Sequence, residues 1–524
     1  MSKETGSTEF NFLKLTSSQL LGLTAFTALG YIMYSFISDG LYQHDEAAHF
    51  INMRSFWFDP SVILSNWAKP GYKILTAPFA LLGPFALVIF NSIIAASSCF
   101  VGYKLMERLG FKAPVLAFIL LMIQPFWLQL SFRNYSESIS ALILISAIWA
   151  HYGNKYWLAA LLLSYTATIR QEMYPIIAVY GVYFLSKVKI KEALLLAVFP
   201  LVHNIFGWID SGDPLYLINS VLGFSSNIQD AYPRQGFDHY FKMALTVFGG
   251  AGMTYFFAYL GQGIFQNKKI HWFILIPALL YFFMHAFFSI QSFKIGPSTG
   301  GNLRYLIVIA PLLAVLGGIA IERLATFQSM QEKRVALITM SIFAVIVLVF
   351  LSYQNNNIVF TDQKDYLPFI TVLLSILIVL PKFTLQRLTL AVTGVVFFSG
   401  FLTVKPFPKN PEDELVFNFV EWAQKNNIEE HPLLLNHTML YYYMGKVQQE
   451  FELGAAPINQ ETVDSAKVGT YIIWDSHYSY RPNLRKNSLS HTYFLERPEE
   501  FRMVINPMLT PNQRFGIFMF EKIK

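Results

Sequence analysis

The sequence predicts an α-helical polytopic membrane protein of about 13 transmembrane helices, ending in a small C-terminal α/β domain. Three observations carry that prediction. Hydrophobic residues make up 54% of the chain and charged residues 14%, where a soluble protein of this size carries roughly 25% charge. Mean hydropathy is +0.41. Apolar runs of roughly 20 residues, the length that crosses a bilayer, recur from residue 17 to residue 403 and then stop.

The polar, mixed-charge start, Met1 to Leu20, has no clear cleavable signal, so the first helix is expected to be an uncleaved anchor. The candidate spans are 17–38, 83–105, 113–131, 138–152, 156–170, 172–187, 192–209, 241–264, 271–290, 303–322, 335–353, 366–381 and 385–403. The chain must turn sharply between Arg170 and Pro175, and the proline favours a break there. Gly249-Gly250-Ala251-Gly252 in the eighth run suits close helix packing. His203, Asn204 and His285 read as hydrogen-bonded core residues.

Sidedness follows from the basic residues. With the N-terminus inside, the inside loops hold Lys104, Arg108 and Lys112, then Lys155, then Lys187, Lys189 and Lys191, then Lys268 and Lys269, then Arg323, Lys333 and Arg334, then Lys382 and Arg387. The outside loops are poorer in Lys and Arg, the bias that sets orientation in membranes. These short clusters account for the net charge of +6 without invoking nucleic acid. An odd number of spans places the C-terminal end outside. Cys99 is the single cysteine, which excludes a disulfide framework and a thiolate metal site. No P-loop, Rossmann or zinc-protease pattern is present, so nothing points to nucleotide chemistry.

The chain divides into a membrane module, 1–404, and an extracytoplasmic domain, 405–524. The domain opens Lys405-Pro406-Phe407-Pro408-Lys409-Asn410-Pro411. Glu412 to Asn426 follows as an amphipathic helix, with Leu415, Phe419 and Trp422 at helical spacing. Pro432–Leu435, Tyr471–Trp474 and Gly516–Glu521 read as strands. About 120 residues suffice for a separate core.

The polar chemistry gathers on the expected outer face, in loops 39–82 and 209–240 and at helix ends. His44-Asp45-Glu46-Ala47-Ala48-His49 follows the first span, and a helix there sets Asp45 and His49 one turn apart. A carboxylate and an imidazole so placed are what deprotonating a hydroxyl requires. The alternative is a solvated acid pair favoured by the helix dipole. Lys69-Pro70-Gly71-Tyr72 lies later in the same loop. Arg133 and Glu137 flank the outer end of the third and fourth spans, and Arg170 and Glu172 that of the fifth. Each couple reads either as a structural ion pair or as part of a binding site, since ionisable groups at bundle-facing helix ends are costly unless partnered. Gly300-Gly301-Asn302-Leu303-Arg304-Tyr305 opens the tenth span. Free backbone N–H groups with a guanidinium there make an anion site suited to phosphate, against the alternative of a snorkelling arginine.

In these residues the chain resembles the GT-C superfamily of membrane glycosyltransferases, notably the protein O-mannosyltransferases and the bacterial aminoarabinose transferases that modify lipid A. The resemblance rests on the acidic pair Asp45-Glu46 in the first outer loop, on Lys69-Pro70-Gly71-Tyr72, on Glu137 at the start of the fourth span, and on Arg304-Tyr305. Gly212-Asp213-Pro214-Leu215-Tyr216 also looks like a segment of bacterial members. The lysine motif departs at its third position, Gly71, where the family has a second proline. The resemblance covers 1–325; the C-terminal domain agrees in position only.

The resemblance implies a transferase that moves a sugar from a polyprenyl-phosphate donor to a lipid, glycan or protein acceptor, with inversion, in a bacterial plasma membrane. It implies Asp45 as the base, with Glu46 and Glu137 completing the catalytic set. His49, Lys69, Arg133, Arg170, Glu172, Arg304 and Tyr305 would bind substrate, the cations neutralising the phosphate. A divalent cation at Asp45 and Glu137 is left open. Two other readings compete. A transporter or flippase would carry its ionisable groups near the midplane, whereas here they sit at the spans' ends. An oligosaccharide transferase would share the chemistry, and the short C-terminal domain favours a single sugar.

Overall fold

The computed structural model describes residues 13–65, 67–227, 234–290, 301–327, 329–353, 367–446, 455–482 and 487–524. Each of the thirteen apolar runs is largely helical. Among the described residues, five helical stretches are long and apolar enough to cross a membrane: Pro84–Arg108, Ile190–Ser211, His239–Phe265, Leu303–Ala325 and Leu385–Thr403. Several runs are broken rather than continuous. The third divides into Val115–Met122 and Pro125–Leu130, with Pro125 opening the second piece. The seventh divides at Leu196–Ala197. The tenth begins as a 3₁₀ helix, Leu303–Ile309, before the α-helix Ala310–Ala325.

The chain forms two compact units. The first comprises Met1–Met33, Ser65–Tyr72 and Val88–Lys405; the second comprises Tyr34–Leu64, Lys73–Leu87 and Pro406–Lys524. Most of the first outer loop therefore belongs with the C-terminal residues, not with the membrane module to which the sequence reading assigned it.

In the first unit His239–Phe265 and Leu303–Ala325 lie at the centre, 83% and 94% buried over their apolar windows, whereas Ile190–Ser211 is 17% buried. A strongly apolar helix with so little burial is expected where lipid, not water, covers the outer helices. Gly250 packs closely: a Cβ there would lie 2.4 Å from the Pro368 carbonyl oxygen. Gly249 does something else, adopting φ +75° and bending the helix. Gly212, at φ +75°, ends Val198–Ser211, and Asn204 bonds both Pro214 and Leu217 across the following turn. The Gly212–Tyr216 segment is thus a helix-to-helix corner.

The second unit is a mixed sheet with helices. Its strands are β1 (Leu433–Leu435), β2 (Ala455–Ala456), β3 (Tyr471–Asp475), β4 (Phe501–Met503), β5 (Met508–Leu509) and β6 (Gly516–Lys522). The order is β2-β1-β3-β6-β4, with β5 also on β6; β1 is parallel to β2 and β3, and β6 is antiparallel to its neighbours. Alternation splits the apolar residues between two faces. Leu433, Leu435, Ile473, Ile517 and Met519 meet Val416, Phe419, Val420 and Ala423 of the helix Pro411–Lys425, together with Ala47 and Ile51 of the helix Asp45–Ser55. Leu434, Ile472, Trp474 and Phe520 form the opposite face with Phe494 and Phe501. Asn410 caps Pro411–Lys425 by accepting from the Asp413 N–H at 2.8 Å.

Candidate functional site

In the first unit three cations and two carboxylates converge. Glu137 opens the helix Ser136–Tyr152 and is 1% exposed. Arg170 Nη1 lies 2.7 Å and Arg304 Nε 3.2 Å from its Oε1. These are close charge contacts, not aligned hydrogen bonds. Arg170 Nη2 also donates to Glu172 Oε1 at 2.7 Å. Ser136 ties the group together: Lys69 Nζ donates to its Oγ at 3.0 Å, and that hydroxyl donates to Glu137 Oε2 at 3.3 Å. Tyr305 lies beneath Arg170, 4.8 Å from guanidinium carbon to ring centre, and Tyr135 beneath Arg304 at 4.6 Å. The sum is one excess positive charge, from Lys69, Arg170 and Arg304 against Glu137 and Glu172. Arg304 is buried at 5% exposure, so it does not snorkel.

Local sequence explains these placements. Asn302 accepts from the Arg304 N–H at 3.2 Å and starts the 3₁₀ helix that presents Arg304 and Tyr305. Of the glycine pair before it, Gly300 lies outside the described residues. Lys69 holds φ +59°, rare for a residue with a side chain. Burial lowers its pKa to about 8, and Arg170 and Arg304 push the same way against Glu137 and Glu172. Gly71 is tightly constrained where it follows Pro70. Its N–H donates to Thr168 O at 3.1 Å, and a Cβ would lie 2.1 Å from Thr168 Oγ1.

The other expected site residues divide. Arg133, 3% exposed, donates from its Nε to Gln129 O at 3.1 Å, and its guanidinium lies over Phe132. Asp45, Glu46 and His49 belong to the second unit. They lie on the helix Asp45–Ser55, so Asp45 and His49 are one turn apart. Glu46 accepts from the Tyr42 N–H at 2.8 Å. His49 is buried, and the buried Lys73 donates to its Nδ1 at 2.9 Å and its carbonyl at 2.8 Å. Glu137 sits among cations, in an ion-pair setting.

Sequence reasoning missed several neighbours. Ser136 adjoins Glu137 and was given no part, and His285, read as a core residue, is 1% exposed and stacks on Tyr305 at 5.2 Å. It also missed a cluster in the second unit, where His44, His437 and His477 surround Glu412. His437 and His477 lie 25 and 65 residues from Glu412, a separation no short motif captures. Burial opposes the His44 cation, but the Asp413 hydrogen bond and the charges of Asp413, Glu412 and Asp45 outweigh it and raise its pKa. Burial likewise opposes ionised Glu412, yet hydrogen bonds from His437 and His477 hold its carboxyl far below the usual range.

No protein-family model and no curated protein matches the sequence. Solved structures do. The crystal structures of ArnT from Cupriavidus metallidurans, one bound to undecaprenyl phosphate and one in the apo state, superpose with a TM-score of 0.60 at 12% identity. Each match covers 96% of this chain and 98% of that one. The chain has the fold of ArnT. The many-helix architecture with a small C-terminal sheet expected from the sequence is therefore the architecture observed. The likeness to ArnT spans the membrane helices and the C-terminal sheet alike, because nearly the whole of both chains is matched.

Proposed function

We propose that this protein transfers one sugar from a polyprenyl-phosphate donor to an acceptor hydroxyl. The observation that carries the reading is the excess positive charge of Lys69, Arg170 and Arg304 around Ser136 and Glu137. Two guanidiniums and an ammonium at helix ends suit a phosphate that gains charge as the bond to the sugar breaks. The undecaprenyl phosphate held by ArnT supports a lipid phosphate as the occupant. Phosphate is a competent leaving group, so the reaction needs a base more than an acid. Asp45 takes the acceptor's proton, the acceptor oxygen attacks the anomeric carbon from the opposite face, and polyprenyl phosphate departs. Glu46 is the second acid of the pair. The N-terminus is cytoplasmic and the second unit extracytoplasmic, in a bacterial plasma membrane, so the lipid tail lies in the bilayer while chemistry proceeds at its surface.

The test is transfer from a labelled polyprenyl-phosphate sugar in detergent, offered lipid, glycan and peptide acceptors. Arg304→Ala is expected to lower turnover by about 10²–10³-fold, the effect of removing a charge-stabilising donor. Asp45→Asn is expected to lower it by about 10²–10⁴-fold, the range for general-base catalysis. Full turnover in both variants would defeat the reading.

A further inference from the structure

We propose that His44, Glu412 and His477 form a binding site for a zinc-class divalent metal ion in the second unit. The candidate donor atoms of His44, Glu412, His437 and His477 all lie within 4.8 Å of one another. Around a tetrahedral ion with bonds near 2.0–2.1 Å, donor atoms stand about 3.3 Å apart. Here His477 Nδ1 is 2.5 Å, His437 Nε2 2.9 Å and His44 Nδ1 4.0 Å from Glu412 Oε1. These separations straddle that value, so sub-ångström side-chain shifts admit the ion. Imidazole and carboxylate together favour zinc over magnesium or calcium, which take oxygen donors.

The surroundings fix the donors. His44 Nε2–H donates to Asp413 Oδ1 at 2.8 Å, so in the neutral ring Nδ1 is the nitrogen with a lone pair to offer a metal. Asp413 is 1% exposed and is itself held by Asn410 Nδ2 at 2.9 Å. A carboxylate behind a histidine is the arrangement that orients metal ligands. The turn bearing His477 is pinned by buried Asp475, which accepts from the His477 and Tyr478 N–H groups at 2.9 and 2.6 Å. The Tyr478 hydroxyl stands 2.8 Å from His44 Nδ1, and it or water can complete the coordination. His437 has a different part. Its Nδ1 accepts from the Met439 N–H at 3.1 Å, so its proton is on Nε2, donated to Glu412. It positions the carboxylate.

The ion would join the loop after the first span to the helix Pro411–Lys425 and the turn after β3, all within one unit. His44 directly precedes Asp45, so the ion also fixes the start of the helix that carries Asp45.

The experiment is metal retention by the full-length protein in detergent, which is independent of any transfer activity. The protein is stripped with chelator, reloaded with zinc or cobalt, and desalted. Near-stoichiometric zinc is expected, with visible cobalt absorption of a low-coordinate nitrogen–oxygen site. His477→Gln, at a half-exposed turn, and Glu412→Gln are each expected to lose both signals while remaining monodisperse. Zinc should raise the melting temperature of the unaltered chain and leave that of His477→Gln unmoved. Wild-type protein that retains no zinc, or His477→Gln and Glu412→Gln that retain it equally well, would overturn the site.

Discussion

Lys69 concentrates the chemistry of the first unit in one side chain. Its backbone is held at φ +59°, a conformation that costs on the order of 1 kcal/mol and persists only where surroundings impose it. Its ammonium faces Ser136 directly and Glu137, Glu172, Arg170 and Arg304 electrostatically. Because burial depresses the pKa from 10.5 to about 8, the neutral amine forms at a pH where an ordinary lysine stays charged. The sign is definite. The unfolded chain keeps its proton between about 8 and 10.5, so this group's contribution to stability rises with pH across that window. Anion binding moves the opposite way. Affinity for a polyprenyl phosphate is expected to fall as pH rises through about 8, and Lys69→Arg, which cannot deprotonate there, should flatten the profile. Equilibrium binding of labelled lipid phosphate from pH 6 to 10 checks this.

At the scale of elements, the site depends on helix starts. Glu137 opens Ser136–Tyr152, Arg304 opens a 3₁₀ helix, and Lys69 immediately precedes the helix Pro70–Leu81. The third of these starts is locked to the loop after Tyr156–Ala167 by the Gly71 N–H to Thr168 O bond and by the Tyr165 hydroxyl, which donates to Gly71 O at 2.7 Å. Gly71→Ala is expected to destabilise the protein by about 1–3 kcal/mol, the cost of overpacking a tight contact, because the new methyl would sit 2.1 Å from Thr168 Oγ1. Thr168→Ala in the same chain should recover most of the loss. Thermal unfolding of the single and double variants in detergent decides it. A proline at position 71 would add the loss of the N–H donor to the clash, which is why the motif departs from the family pattern here.

For the whole molecule, the positive-inside distribution and the two compact units make one topological prediction. A cysteine placed at exposed Asn512 of the second unit should react with an impermeant maleimide on intact cells, and one at exposed Lys155 should not. Cys99 is buried and gives little background. Labelling at 155 but not 512 would reverse the orientation and with it the proposed outer-face reaction. Much of this scale was legible beforehand. Apolar run length gave the helices, and short continuous apolar runs at 432–435, 471–474 and 516–521 gave the three central strands. The two-residue strands β2 and β5 and the edge strand β4 carry too few residues for a period to show.

The amino-acid sequence alone determined that this chain is a many-pass helical protein, since a bilayer leaves the backbone no other way to satisfy its hydrogen bonds. It also determined which polar residues lie at helix ends, because charges are excluded from the apolar runs between them. The partners of those residues were decided only by tertiary structure. Glu137 pairs with Arg170 and Arg304, and His44 meets Asp413 across 369 positions. Pairing of that kind is set by which helices and loops pack together, and contact between residues hundreds of positions apart leaves no period or spacing in a single sequence.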